Sequence, residues 1–220
     1  MATDAATVST SSGRSERRST TSALTSWFAG TPGLKVVAPA TPADAKGLLK
    51  AAIRDDDPVL VVENLPIYKE RGEVPLDPEF VGEIGRAAVA REGSDITLVA
   101  HSFATVRALH VAEKLAEEHG VNAEVVDLRS LRPLDMETVA TSVAKTNRVL
   151  CVEEGWSTYG VTAELAARIQ HACFDDLDAP VERVGSAEVP MPYAKNLENE
   201  ALPNEDRIER AVLHTLDLAA

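Results

Sequence analysis

The sequence predicts an α/β fold, a mainly parallel sheet with flanking helices, joined to a smaller βαβ unit nearer the N-terminus. Three observations lead there. From residue 95 onward, short β-branched runs alternate with amphipathic stretches and end in a helix. The run PVLVVEN at 58–64 is apolar without alternation, as in a parallel strand covered on both faces. The stretch ahead of it, TPADAKGLLKAAIR, carries the marks of a helix start. Strand–helix alternation of this kind implies right-handed crossovers and helices on both faces of the sheet.

In chain order, LKVVAP at 34–39 is a strand. The helix at 41–54 follows, with Thr41 as cap, Pro42 at the first helical position and Asp44 completing a capping-box pattern. Leu48, Leu49, Ala52 and Ile53 fall on one of its faces. With the strand at 58–64 this makes one βαβ unit, too small to stand alone. Its strands at 34–38 and 59–63 are therefore expected to present unpaired edges and apolar faces. Pro66, Pro75 and Pro78 mark 65–93 as a linker. Beyond it, strands are expected at 95–101, 123–128, 148–153 and 181–185, and helices at 105–120, 135–146, 161–174 and 204–216, with Gly120 stopping the first.

The 220 residues are enough for a real core, and a hydrophobic fraction of 45% fits a globular protein. A net charge of −13 makes nucleic acid and anionic lipid poor partners and basic proteins plausible ones. The longest apolar runs, such as VLVV at 59–62, fall far short of a membrane span. Two cysteines, Cys151 and Cys173, in ordinary apolar segments argue against a disulfide scaffold and for a reducing compartment. The first 22 residues hold 11 Ser or Thr and almost no large apolar side chains, so residues 1–23 are expected to be disordered. Arg14, Arg17 and Arg18 give this head some likeness to an organellar transit peptide; Asp4 and Glu16 favour a plain tail.

Five histidines and two cysteines show no metal-ligand spacing. His101 stands apart because it ends a strand, where open α/β sheets place their ligand sites; a satisfied polar residue beside a seam is the plainer reading. EEGWSTYG at 153–160 offers two carboxylates after a buried strand, for proton work or for capping the next helix, with capping the stronger reading. In AAIRDDDP at 51–58, Asp55, Asp56 and Asp57 sit at the negative end of a helix. That placement is unfavourable unless a cation or a basic group offsets it. Carbonyl and carboxylate oxygens are what hard cations take, and a solvated acidic turn is the alternative.

From about Leu24 to Leu216 the chain resembles the β subunits of thiamine-diphosphate-dependent pyruvate dehydrogenase, in the transketolase-like superfamily. The stretches that carry the resemblance are WFAGTPGLKVVAPATPADAKGLLKAAIRDDDPVLVVEN, LRSLRPLDMETV, AKTNRVLCVEEGW and DLDAPVERVGSAEVPMPYAKNLE. LRPLD, EEGW and VPMPYAKNLE resemble the pyruvate branch more than its branched-chain 2-oxo acid relatives; acetoin dehydrogenase is a near neighbour. The resemblance implies that pyruvate is decarboxylated on thiamine diphosphate and its acetyl group passed to a lipoyl arm. It implies a heterotetramer of two α and two β chains, with Mg²⁺ and the diphosphate held mainly by α. The second β chain and the subunit-binding domain of a dihydrolipoyl acetyltransferase core are further partners. The compartment implied is the mitochondrial matrix, with the bacterial cytoplasm as the alternative.

The same resemblance divides the chain into a head at 1–23, a remnant of a pyrimidine-binding domain with its linker at 24–78, and a transketolase C-terminal-like domain at 79–220. It puts the family's catalytic histidine at Thr20, and no histidine precedes His101. The family's cofactor glutamate lies ahead of everything matched here. No catalytic or cofactor-binding residue is therefore assigned, and the 220-residue chain alone is expected to be inactive. The expected origins are a truncated gene model or a non-catalytic assembly module. The family's potassium site falls on Ala52, Ile53, Asp55 and Asp57, mostly through backbone oxygens.

Overall fold

Two sheets carry the fold. The computed structural model describes residues 5–8 and 20–218, with side chains from Thr25 onward. The elements run β1 (Ala5–Val8), α1 (Thr20–Ala29), β2 (Lys35–Val37), α2 (Pro42–Arg54), β3 (Val59–Val62), β4 (Ala88–Arg91), β5 (Ile96–Ala100), α3 (Phe103–His119), β6 (Ala123–Asp127) and β7 (Ser130–Arg132). Then come α4 (Met136–Thr146), β8 (Val149–Trp156), α5 (Val161–Ala172), β9 (Glu182–Ser186), α6 (Lys195–Ala201) and α7 (Glu205–Thr215).

The larger sheet has the order β4-β6-β5-β8-β9. Its four strands from β5 onward are parallel, and β4 closes the β6 edge antiparallel. Helix α3 leaves β5 toward β6 on one side, while the chain returns through α4 to β8 on the other. The order therefore reverses between β5 and β8, the switch point where such sheets open a crevice. One face packs against α3 and α7 through Leu98, Ala108, Leu115, Leu150, Ile208 and Val212. The opposite face meets α4 and α5 through Val99, Val126, Val143, Cys151, Leu165 and Ile169.

The smaller sheet, β1-β3-β2-β7, corrects one expectation. Strands β2 and β3 were expected to expose edges and apolar faces, yet they are the central pair. β1 runs parallel to β3 on one side, and β7, from the C-terminal half, pairs antiparallel with β2 on the other. The faces are closed as well. Val37, Val59 and Val61 pack against Leu48 and Ala52 of α2. Val36, Ala38, Leu60 and Val62 join the same core as Val99, Val126 and Leu165 of the larger sheet. Lone strands are unstable, and the C-terminal half supplies what this pair lacks.

The head also departs from expectation. Residues 5–8 form β1 and residues 20–23 open α1; the remainder of 1–23 lies outside the described residues. The Ser/Thr-rich composition hides a strand whose stability comes from pairing with β3, a tertiary effect that local composition does not report. Likewise the linker at 65–93 contains a 3-10 turn at Leu65–Lys69 and the edge strand β4. Strand β7 and helix α6 were also not anticipated; β7 is only three residues long.

Local signals did place the main helices. Thr41 Oγ1 accepts from Asp44 N–H at 3.1 Å and donates to the Asp44 carboxylate at 2.6 Å. Gly120 ends α3 at φ 66. Past the 3-10 turn, the linker is strapped to α2: Lys46 and Lys50 donate to the carbonyls of Pro75 and Pro78, and Gly82 N–H donates to Gly47 O at 2.9 Å. Glycine is required at that crossing, since a Cβ on Gly47 would lie 2.9 Å from Gly82 N. Gly47→Ala gains helix propensity of about 1 kcal/mol, but pushes the linker backbone away. A net loss of about 1–3 kcal/mol in urea unfolding is expected; a more stable variant would contradict this crossing.

Candidate functional site at the sheet seam

The carboxyl ends of β3, β5, β6 and β8 converge where the two sheets meet, and Asn64, His101, Ser102, Asp127, Glu153 and Glu154 are buried there. His101 follows β5 and is 4% exposed; Ser102, next to it, is held at φ 55. A non-glycine residue in that region costs about 1–3 kcal/mol, so packing around the start of α3 imposes it. Ser102 Oγ has no hydrogen-bond partner among the described residues. Burial pushes the His101 imidazole down to about 4, so it is neutral at physiological pH.

The two carboxylates of EEGW divide their work. Glu153 accepts from the N–H groups of Val161 and Thr162 at 3.1 and 3.0 Å and from Thr162 Oγ1 at 2.5 Å. It is a cap for α5 reached from the preceding strand, with its pKa raised by burial. Gly160 must be glycine here, because a Cβ would fall 2.1 Å from Glu153 Oε1. Glu154 turns to the seam, where it accepts from Asn64 Nδ2 at the end of β3. Arg107 Nη2 stands 3.9 Å from Glu154 Oε1, while Arg107 Nη1 donates to Pro203 O at 2.7 Å. Trp156 is partly exposed and donates to Val189 O.

Arg129 makes the second link. In the left-handed region at φ 57, it donates its N–H to Asp127 Oδ1 at 3.1 Å and accepts from Ala38 N–H at 2.8 Å. Its Nε lies 2.8 Å from Asp44 Oδ1 on α2. Asp127 also accepts from Thr105 Oγ1 at 3.2 Å. Burial, with Asp44 nearby, pushes the Asp127 carboxyl up to about 7.

The acidic turn is offset by a basic group. Lys35 Nζ lies 2.8 Å from both carboxylate oxygens of Asp55 and 3.1 Å from Asp57 Oδ2, and Asp57 N–H donates to Asp55 Oδ1. The Lys35 hydrogen bond holds Asp55 below the usual carboxylate range. The side-chain oxygens of Asp55 and Asp57 thus do not fit a metal ion. A cation at this turn would have to use main-chain oxygens of Ala52, Ile53, Asp55 and Asp57. Ala52 is on the buried face of α2, against Val59 and Val61, and Ile53 is exposed.

Nor do the described residues fit the aminopyrimidine of thiamine diphosphate, which needs a carboxylate to act through. Among those up to residue 64, Asp44 is committed to Arg129, Asp55 and Asp57 to Lys35, and Glu63 accepts from Tyr68 Oη at 2.8 Å. Asp56 stands in the exposed turn. Two cavities flank the seam, about 530 Å³ beside Arg132, Gly160 and Arg168 and about 570 Å³ beside Thr41, Glu63 and Tyr68. His101 lines neither. Both thiols are free and buried, Cys151 being pushed up to about 12.

A pH dependence follows from Asp127. An unfolded aspartate ionises near 4, so between about 4 and 7 the folded state holds a proton that the unfolded state has released. Stability then falls as pH rises through that window and is flat above it. His101 slopes the other way below about 6.5, so the comparison must be made against Asp127→Asn. Relative to that variant, the wild type should lose about 2–3 kcal/mol between pH 5 and pH 8 in urea unfolding. A constant difference would contradict the buried carboxyl.

The comparisons with known proteins agree with this architecture. The transketolase C-terminal domain matches residues 85–208, and the transketolase pyrimidine binding domain matches 15–69. The chain is 53% identical over 188 residues to the mitochondrial pyruvate dehydrogenase E1 component subunit beta-1 of Arabidopsis thaliana, covering 84% of this chain and 52% of that protein. It is 48% identical over 186 residues to the pyruvate dehydrogenase E1 component subunit beta of Rhizobium meliloti, covering 84% and 40%. The chain thus spans about half the length, or less, of these relatives. A solved structure, described as a split-gene transketolase in an inactive beta4 tetramer, superposes with a TM-score of 0.70 at 27% identity, covering 89% of this chain and 61% of that one. With the C-terminal domain matched across more than half of its residues, the chain belongs to the transketolase family.

Proposed function

We propose that this chain serves as a β-type subunit of a pyruvate dehydrogenase component, contributing the C-terminal domain and part of the pyrimidine-binding domain. The reaction of the whole assembly is oxidative decarboxylation of pyruvate with acetyl transfer to lipoyl groups. In this reading thiamine diphosphate lies between the chain and an α subunit, which holds Mg²⁺. Potassium is bound by main-chain oxygens of Ala52, Ile53, Asp55 and Asp57. The observation that carries the proposal is the identity of about half the residues with pyruvate dehydrogenase β subunits over 84% of the chain. The domain division at 1–23, 24–78 and 79–220 belongs to the same reading, as does a mitochondrial matrix location, with the bacterial cytoplasm as the alternative. Relatives named as mitochondrial support the former, and the Rhizobium relative the latter. Among the described residues, no helix is long and apolar enough to cross a membrane.

A non-catalytic assembly role is the second reading, and among the described residues up to 64 the partnered carboxylates of Asp44, Asp55, Asp57 and Glu63 favour it. By resemblance, acidic residues of the C-terminal domain, Asp175, Asp176, Asp178, Glu182, Glu188, Glu198 and Glu200, are expected to meet the basic subunit-binding domain of an acyltransferase core. They do not form one patch, and Glu182 opens β9 itself. Asp175, Asp176 and Asp178 precede β9, with Asp178 3.8 Å from Arg148 just before β8. Glu188, Glu198 and Glu200 follow β9, with Glu188 accepting from Thr158 just past β8. Because β8 and β9 run parallel, the two groups lie at opposite ends of the sheet. Docking by charge engages one of them.

Mixed with an α subunit, thiamine diphosphate, Mg²⁺ and pyruvate, the 220-residue chain should give no decarboxylation above background. Titrated with the binding domain, it should bind, and affinity should fall about tenfold between low and 0.3 M salt. Charge reversal of Asp175, Asp176 and Asp178, compared with that of Glu188, Glu198 and Glu200, identifies the end used. Pyruvate turnover contradicts the first expectation, and absent or salt-independent binding contradicts the second.

A further inference from the structure

The outer face of the α3–α7 pair carries a histidine and two carboxylates that the seam does not use. Glu118 and His119 end α3, and Glu209 faces them from α7. One donor atom of each lies within 4.8 Å of the other two, and His119 Nε2 is 3.1 Å from Glu209 Oε1. Lys114 donates to Glu209 Oε2 at 2.7 Å, which turns the remaining oxygen of that carboxylate toward the imidazole. Such support from a neighbouring group is what orients a ligand side chain.

Charge, position and ligand chemistry each favour a cation here. Glu118, Asp206 and Glu209 all lie close enough to Lys114 to act on it electrostatically, three carboxylates against one ammonium. The last turn of α3, with its outward carbonyls, is the negative end of that helix. An imidazole with two carboxylates suits a first-row divalent ion, whereas Ca²⁺ and Mg²⁺ prefer oxygen ligands alone.

We propose that Glu118, His119 and Glu209 bind a divalent first-row transition ion of the zinc type, with the remaining coordination positions open to water. Binding replaces the His119–Glu209 hydrogen bond with two metal bonds. The Nε2 proton is lost to solvent or moved to Nδ1, leaving a neutral imidazole as ligand. The ion then clamps the end of α3 onto α7, and so stabilises the C-terminal helix by mass action.

The test is a calorimetric titration of the full chain with Zn²⁺, with Co²⁺ absorption as a second readout and thermal midpoints recorded alongside. One equivalent should bind, and the midpoint should rise with Zn²⁺. His119→Ala and Glu209→Gln should each weaken binding at least about tenfold and remove the rise in midpoint. His110→Ala, whose ring faces Glu205 elsewhere on the same helix pair, should leave both unchanged. Metal-free midpoints show that each variant is folded. No saturable binding up to millimolar Zn²⁺, or variants that bind as tightly as the wild type, would overturn the proposal.

Discussion

Arg129 is the joint on which the two halves of the molecule depend. Its left-handed backbone breaks the chain between β6 of the larger sheet and β7 of the smaller one. From that one position its N–H reaches Asp127, its carbonyl reaches Ala38, and its guanidinium reaches Asp44. Strand β7 can then lie along β2, and the βαβ unit gains a strand that its own sequence does not contain. The Asn64–Glu154 hydrogen bond ties the carboxyl end of β3 to that of β8 in the same way. Asp44 thereby serves both as part of the α2 cap and as the anchor of the joint.

Burying these groups has an energetic consequence. A carboxyl taken out of water without a full set of partners favours its neutral form, which is the state of Asp127 over part of the physiological range. Glu153 is raised in the same direction, though three donors around it limit the effect. The seam thus sets polar contacts beside the apolar core that the two sheets share, and specific geometry holds those contacts more than net attraction. Removing one partner would leave another buried and unmatched, a larger loss than the bond itself contributes. The seam lies between the stretches that match the transketolase pyrimidine binding and C-terminal domains, 15–69 and 85–208. An assembly role needs that relation to be rigid.

Much of this was legible in the residues, and the failures have identifiable causes. The four long helices after residue 100 and the four parallel strands between them announce themselves by apolar period and by the stop at Gly120, and in the structure Asp135 and Asn204 cap two of those helices. Strands β1, β4 and β7 are three or four residues long and exist through their partners, so no local pattern marks them. The acidic turn was visible as a charge problem, but its solution, Lys35, sits 20 residues away. At the seam, His101 and the EEGW carboxylates could be picked out from their place after strands. Asn64, Arg107, Asp127 and Arg129 could not, because their roles arise only when the two sheets are brought together. Ser102 and Arg129 carry positive φ on residues that do not advertise it.

The central claim is that the two sheets form one cooperative unit, joined at Arg129 and through a shared core. Native-state hydrogen exchange tests it directly, because amides report the free energy of the opening that exposes them. Val36, Val37, Leu60 and Val61 represent the smaller sheet, and Leu98, Val99 and Val126 the larger. If the account holds, both sets exchange through the same opening, with free energies within about 1 kcal/mol of each other and equal to that of global unfolding. Exchange in the smaller sheet at a free energy lower by several kcal/mol, while the larger sheet stays protected, would contradict it.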